Sequence, residues 1–231
     1  MDSSARLKQN LDEVQERIAA AAQRSGRRAA EITLIGVTKY VSDALTRQLF
    51  DFGCHDLGES RPQSLWGKAE DIPGARWHLI GHLQRNKVRR TLPYLALLQS
   101  LDSIALAQGV STEAVAIGRR IPALLEVKIA ADVTKHGFPP VEVRAAMETI
   151  AALPGIELRG LMTMASLEGG VDAARRDFAA LRQLRDALLP DCPAGVSLNE
   201  LSMGMSGYYE IAIEEGATMI RVGSALFEGL A

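Results

Sequence analysis

Cysteine is scarce in this chain. Its 231 residues hold two, Cys54 and Cys192, far apart and each without a second cysteine nearby. That excludes a disulfide framework and fits a reducing compartment. The four histidines, His55, His78, His82 and His136, lack any zinc-type spacing with those cysteines, so no metal-ligand cluster is expected. No stretch approaches the ~18 consecutive apolar residues of a membrane span, and the polar opening MDSSARLKQNLDEVQER has no apolar signal core. The cytoplasm is the expected location. Charge of one sign is also lacking. The formal net charge is −2, which points to neither nucleic acid nor an anionic membrane as partner. The one basic run, Gln84 to Arg90, reads as a solvated helix face. No linker, repeat or low-complexity segment divides the chain, so residues 1–231 are expected to form a single domain.

What is present is a regular alternation. Leu7, Leu11, Val14, Ile18 and Ala21 recur at three- and four-residue steps, a helical period that Gly26 closes. Ile32 to Val37 then reads as a strand. Ser42 is placed to cap a helix, as is Ser103 later, and Pro139-Pro140 open another. In all, a leading helix precedes about eight strands that alternate with helices: CHDLG, RWHLIG, YLALLQSLD, PALLEVKIA, GIELRGLMTM, SLNELSMGM and TMIRVGSALF follow the first strand. Strands alternating with helical patterns mean βαβ units and a parallel sheet, and eight units in this length fit an α/β fold of the (β/α)8 TIM-barrel type. A doubly wound open sheet is the competing reading. The last strand leaves almost no room for an eighth outer helix, and the leading helix is the candidate to cover that gap.

Barrel chemistry sits at the C-terminal ends of the strands. Those ends carry Lys39, Glu59 with Ser60, His82, Asp102, Lys128, Met164, Ser206, and Gly223 with Ser224. GMSG and RVGSALF, after strands seven and eight, offer Gly-Ser elements opening a helix or turn. Glycine lets backbone amides approach an anion and serine adds a donor, so these loops are phosphate candidates. A tight turn with an N-cap would look the same. Lys39 at the mouth is a candidate nucleophile if desolvated, with a carbonyl as its partner, and an aldehyde that also carries phosphate would bridge strand one to strands seven and eight. Pyridoxal phosphate is such a molecule; the plain alternative is a solvated loop lysine. Arg221 shares a strand face with Gly223 and is placed to meet the pyridine nitrogen, or else to pair with a carboxylate such as Glu31 or Glu126.

Taken in order, GVTK at Lys39, GES at Gly58 to Ser60, WHLIGHLQRNK from Trp77, KHGF from Lys135, RGLMTM from Arg159, LSMGMS from Leu201 and TMIRVGSALF from Thr218 resemble the pyridoxal-phosphate homeostasis proteins, the YggS/PROSC family. The resemblance runs from the first helix to near the end of the chain. It implies the barrel of the alanine racemase N-terminal domain (fold type III of the pyridoxal-phosphate proteins) with an extra N-terminal helix. It implies that Lys39 forms a Schiff base with pyridoxal 5'-phosphate, that Ser206, Gly223 and Ser224 hold the phosphate, and that Arg221 faces the ring nitrogen. Met205 is expected beside the cofactor, with Ser60, His82 and Asn86 near the same mouth.

Three positions depart from the family pattern: Ser60 replaces an asparagine, Gly207 and two tyrosines follow GMS where an acidic residue is usual, and FEGL ends the last segment. Racemases of this fold supply a tyrosine base from a second domain, and no such domain is expected here. The resemblance therefore implies a cofactor-holding protein of vitamin B6 homeostasis with little or no catalysis and pyridoxal-phosphate-dependent apo-enzymes as recipients; a monomer is expected because no long exposed apolar helix face stands out in the sequence. An amino-acid racemase or lyase using Tyr208 or Tyr209 as second base is the alternative, and a barrel aldolase using Lys39 on a sugar phosphate is a third reading.

Overall fold

The structure is a computed structural model, and residues 2–129, 136–166 and 169–230 are described. Its opening helix α1 (Ser3–Arg24) buries Leu7, Leu11, Val14, Ile18 and Ala21 along one stripe, as the period demands. Strand β1 (Thr33–Val37) leads into α2 (Asp43–Asp51), where the Ser42 hydroxyl accepts from the Leu45 amide as N-cap. The alternation continues through β2 (Asp56–Glu59), α3 (Pro62–Asp71), β3 (Arg76–Leu79), the single turn α4 (Val88–Thr91), β4 (Leu95–Leu101) and α5 (Ile104–Ala116). It ends with β5 (Ile121–Glu126), α6 (Val143–Ala151), β6 (Ile156–Met162), α7 (Gly170–Leu188), β7 (Glu200–Ser202), α8 (Tyr209–Glu214) and β8 (Met219–Val222).

All eight strands are parallel and follow chain order around a closed barrel, so the open-sheet alternative is excluded. Closure runs through β1 and β8, in register from Thr33↔Met219 to Gly36↔Val222. Parallel strands covered on both faces read as nearly continuous apolar runs, which is why the sequence revealed them. Their outward side chains and the inner helix faces form one large apolar layer, with Leu57, Leu79, Leu98, Leu125, Leu161 and Ile220 in it. The barrel interior is different. Ile35, Leu97, Leu124, Met162 and Met219 fill part of it. The strand register places Arg221 beside Ile35, His78 beside Leu97, and Ser202 beside Met162 and Met219, so these polar side chains share the interior.

Several expected elements were too long; strands five and six stop at Glu126 and Met162. The segment through Arg90 forms a 3-10 turn, Arg85–Lys87, before α4. Strand seven stops at Ser202, because Gly204 takes a left-handed φ of 90°; a Cβ there would lie 2.5 Å from Ala212 Cβ, so only glycine lets α8 close onto the loop. Strand eight stops at Val222, and residues 224–229 are turns. Helix α1 covers this side, as expected. It packs against α8 and α2, and Asn10 Nδ2 donates to the Leu226 and Glu228 carbonyls at 3.0 Å each. Arg17 and Arg24 of α1 pair with Glu210 and Glu214 of α8.

Candidate functional site

A cavity of about 640 Å³ opens at the C-terminal mouth of the barrel. Lys39, Ser60, Arg221, Gly223, Ser224, Met205 and Ser206 all line it, although they lie up to 185 positions apart in sequence. Val37, Ile80, Met164, Met205 and Phe227 supply apolar wall. Such a cavity, mostly apolar with a few convergent polar groups, is the usual form of a small-molecule site.

Each polar group has a structural cause. Thr38 is pinned at the end of β1: its amide donates to Gly58 O, and its hydroxyl donates to Glu59 Oε1 at 2.8 Å. Lys68 of α3 completes this buried knot, donating from Nζ to Glu59 Oε1 and Thr38 O at 2.7 Å each. Lys39 springs from that anchor. Tyr40 then adopts φ 69°, the described non-glycine residue with positive φ, and stands exposed with its ring 5.7 Å from Lys39 Nζ. A tyrosine in the left-handed region costs about 1–3 kcal/mol, and such strain concentrates at ligand clamps and switch regions. The desolvated lysine anticipated from the strand end is not found. Lys39 is exposed, because the strand ends at Val37 and the lysine already belongs to the mouth.

After β8, the strand that pairs with β1, the backbone amides of Gly223 and Ala225 converge on Ser206 Oγ, at 3.2 and 3.4 Å. Both amides donate to the hydroxyl oxygen here; a phosphate oxygen taking its place would meet the two amides, with the hydroxyl as a third donor. A Cβ on Gly223 would sit 3.3 Å from both Val37 Cβ and Val37 O, so a larger residue would crowd β1 at this approach. Arg221 is buried at the cavity floor. It donates to Ser202 Oγ at 2.5 Å and to Thr163 O at 2.8 Å, both neutral acceptors. Burial pulls its guanidinium down to about 10, with the charge of Glu126 opposing. The carboxylate pairing considered from the sequence does not occur in either form: Glu31 is exposed and bonds Arg28, and Glu126 acts on Arg221 through its field alone. Burial pushes the Glu126 carboxyl up to about 7, and Asp102 adds to the effect.

Two expected residues fall outside the cavity. His82 instead borders a neighbouring hollow with Ser60, Arg61, Gln84 and Lys87, and Asn86 is exposed on the 3-10 turn. Both belong to the loop after β3, which turns away once Gly81 has passed under Ser60; a Cβ at Gly81 would meet Ser60 O at 2.3 Å. His82 Nδ1 lies 2.6 Å from Asp102 Oδ2. His136 stacks on His82 at 4.3 Å with 13° between the rings, and its Nδ1 lies 3.8 Å from the same carboxylate. So a histidine–aspartate cluster exists where none was expected, because the fold joins β3, β4 and the loop after β5. Two near-parallel stacked rings share no in-plane point at which an ion could meet both nitrogens, and the cluster reads as a hydrogen-bonded pair with a ring stacked on it. Tyr208 and Tyr209 do not line the Lys39 cavity either: they border another hollow with Arg17 and Arg24, and Tyr209 is buried under α1. Lys135, within the KHGF segment, lies outside the described residues. Sequence reasoning missed Lys68, Tyr40, Ile80 and Phe227. The apolar two had no signal beyond core periodicity, and Lys68 is an ordinary helical lysine until α3 docks.

The profile of the alanine racemase N-terminal domain family matches residues 4–230. A pyridoxal phosphate homeostasis protein of Aquifex aeolicus is 36% identical over 221 residues, covering 95% of this chain and 96% of that protein. The human pyridoxal phosphate homeostasis protein is 32% identical, covering 94% of this chain and 84% of its own length. Among solved structures, PipY of Synechococcus elongatus with pyridoxal phosphate bound superposes with a TM-score of 0.82 at 34% identity, covering 93% of this chain and 99% of that one. An alanine racemase of Clostridium difficile shares the fold, with a TM-score of 0.76 at 16% identity, and the match spans 56% of its length. With the Lys39 mouth and the Gly223 amide cup on one cavity, these similarities place the chain in the alanine racemase N-terminal-domain family and, within it, among the pyridoxal phosphate homeostasis proteins.

Proposed function

We propose that this protein binds pyridoxal 5'-phosphate as a Schiff base on Lys39 and takes part in its intracellular homeostasis, holding the cofactor reversibly with little or no catalysis. One observation carries the reading: a single cavity joins an exposed amine, Lys39, to a convergent amide and hydroxyl cup at Gly223, Ala225 and Ser206. The cofactor has the matching parts. Its aldehyde meets the amine, its phosphate the cup, and its aromatic ring the apolar wall of Val37, Ile80, Met164 and Phe227. Ser224 adds a hydroxyl beside the cup, Met205 closes the wall and Ser60 lies at the rim. Arg221 lies on the floor, where a guanidinium donates to the pyridine nitrogen and leaves it unprotonated. An unprotonated ring is a weak electron sink, which suits holding over turnover. The relative with pyridoxal phosphate bound supports the choice of ligand.

An exposed Lys39 also suits exchange. An incoming amine, free or on an apo-enzyme, reaches the attachment point from solvent and exchanges with the lysine amine at one C=N bond, leaving only the non-covalent contacts of phosphate and ring to be given up. For racemase or lyase chemistry, neither Tyr208 nor Tyr209 borders the cavity to serve as second base. The test is the visible absorption spectrum of the purified protein with pyridoxal phosphate, followed by borohydride reduction and mass spectrometry. The expected result is one reduced adduct on Lys39, absent in Lys39→Ala. An adduct elsewhere, or none, would sink the reading. Incubation with L-amino acids should yield no D-isomer above the Lys39→Ala control; clear turnover would replace the holding role with catalysis.

A further inference from the structure

Beneath Arg221 an unbroken hydrogen-bond chain crosses the barrel interior. Arg221 Nη1 donates to Ser202 Oγ at 2.5 Å, and Ser202 Oγ donates to Gln99 Oε1 at 2.7 Å. Gln99 Nε2 meets His78 Nδ1 at 3.0 Å, and His78 Nε2 meets Asp56 Oδ1 at 3.0 Å. Asp56 is held in turn by Arg76, whose Nε donates at 2.8 Å. Five strands contribute: β8, β7, β4, β3 and β2. Arg221, Ser202, Gln99, His78 and Asp56 are all buried.

We propose that Ser202, Gln99, His78 and Asp56 are positioning residues that fix the Arg221 guanidinium for the ring nitrogen of the bound cofactor, through one directed chain anchored at the opposite end of the barrel. The proposal rests on the cofactor reading given above and adds residues to it.

Direction follows from chemistry. A guanidinium only donates, so Ser202 Oγ must accept and its own proton goes to Gln99 Oε1. The amide then presents its NH2 to His78, whose Nδ1 accepts. The His78 proton therefore sits on Nε2 and is donated to Asp56, an acceptor on both oxygens. With His78 neutral every donor points from Arg221 toward Asp56; reversing Gln99 would require His78 to be an imidazolium donating from both nitrogens. Such aligned chains reinforce one another at low dielectric, and a half-satisfied one is costlier than none. Apolar residues would fill the same space more cheaply, as Ile35, Leu97, Leu124 and Met162 do beside it. The arrangement does one thing that a direct salt bridge would not. It holds Arg221 by neutral acceptors, Ser202 Oγ and Thr163 O, so its charge is not cancelled by a hydrogen-bonded carboxylate and remains for the cavity. The balancing anion, Asp56, is three neutral groups away and is matched by its own arginine.

Two measurements test this. Nitrogen-15 NMR of the histidine rings in the ligand-free protein should show His78 neutral with its proton on Nε2. A proton on Nδ1, or an imidazolium at neutral pH, overturns the chain. Gln99→Met keeps the volume but can neither accept nor donate as the amide does, and Ser202→Ala cuts the first link. In protein loaded with pyridoxal phosphate, both should shift the visible absorption band and weaken retention on dialysis about fivefold or more, within the range for members of one hydrogen-bond network. The borohydride-trapped adduct should stay on Lys39. An unchanged band and unchanged retention in both variants reduce the chain to core filling. If Gln99→Met fails to fold, Ser202→Ala and the ring nitrogens decide. Failure of the parent protein to take up the cofactor would remove the positioning role with the reading it rests on. The two failures are distinguishable, because the His78 measurement needs no ligand.

Discussion

Two buried carboxylates at opposite ends of the same barrel have opposite electrostatics. At the N-terminal end, burial pushes the Asp56 carboxyl up, but hydrogen bonds from His78 and Arg76 outweigh it and hold the group at about 2. At the C-terminal mouth, Glu126 is buried beside Asp102 without such partners among the described residues, and its carboxyl rises to about 7. One end is satisfied and the other is charged against itself. The difference matches the division of labour in barrels, in which the lower face stabilises and the upper face carries chemistry. Perturbed, unpaired groups concentrate where a ligand is to be met.

The sharpest way to break this contrast is at Glu126. Its folded value lies above the ordinary 4.5, so its contribution to stability is full below pH 4.5 and is lost as the pH rises toward about 7. The loss amounts to roughly 3 kcal/mol by linkage. Glu126→Gln should therefore gain on the parent by about that much between pH 4.5 and 8 in urea unfolding; parallel curves would show that the mouth carries no such strain. Asp56 should behave in the reverse sense. Its stabilisation is present above the unfolded value of 3.8 and is lost as the pH falls through about 2. That is about 2 kcal/mol, and Asp56→Asn should remove this acid-side slope. A slope retained in the variant would mean that another carboxylate anchors the lower end. At the cup, Ser224→Ala should weaken cofactor retention about tenfold, equivalent to ~1.5 kcal/mol for a hydrogen bond to a charged group, without moving the unfolding midpoint. Equal retention would remove Ser224 from phosphate binding. The smallest effect is expected far from both ends. Arg144 pairs with Asp191 on the surface at 2.8 Å, and Arg144→Ala should cost under about 0.5 kcal/mol.

Much of the frame was legible because local chemistry dictates it. Ser42 and Ser103 cap their helices as their positions promised, and the apolar stripe of α1 packs as its period requires. Strand ends were harder to read. Met203 continues an apolar run, yet the left-handed turn at Gly204 ends pairing at Ser202. Lys39, Ser206, Gly223 and Ser224 were identified by their places after strands one, seven and eight, and Arg221 by sharing a strand face with Gly223, and one cavity does receive them all. His82, from a strand end, and Asn86, from the resemblance alone, were expected near the same mouth; His82 borders the neighbouring hollow that shares Ser60, and Asn86 is exposed on the 3-10 turn, because the loop after β3 turns aside. The interior chain was not visible at all. His78, Gln99 and Ser202 sit in apolar strands, and alternation says only that they face the interior, not that they meet.

The order and type of the elements, the apolar stripes and the caps were set by the sequence alone, since each depends on neighbours within a few residues. Tertiary structure decided which polar groups meet. The Lys68–Glu59 knot under Lys39, the Gly223 and Ala225 amides on Ser206, and the path from Arg221 to Asp56 join residues from different strands and helices. Barrel closure and strand register fix their distances, and a local pattern carries no information about either.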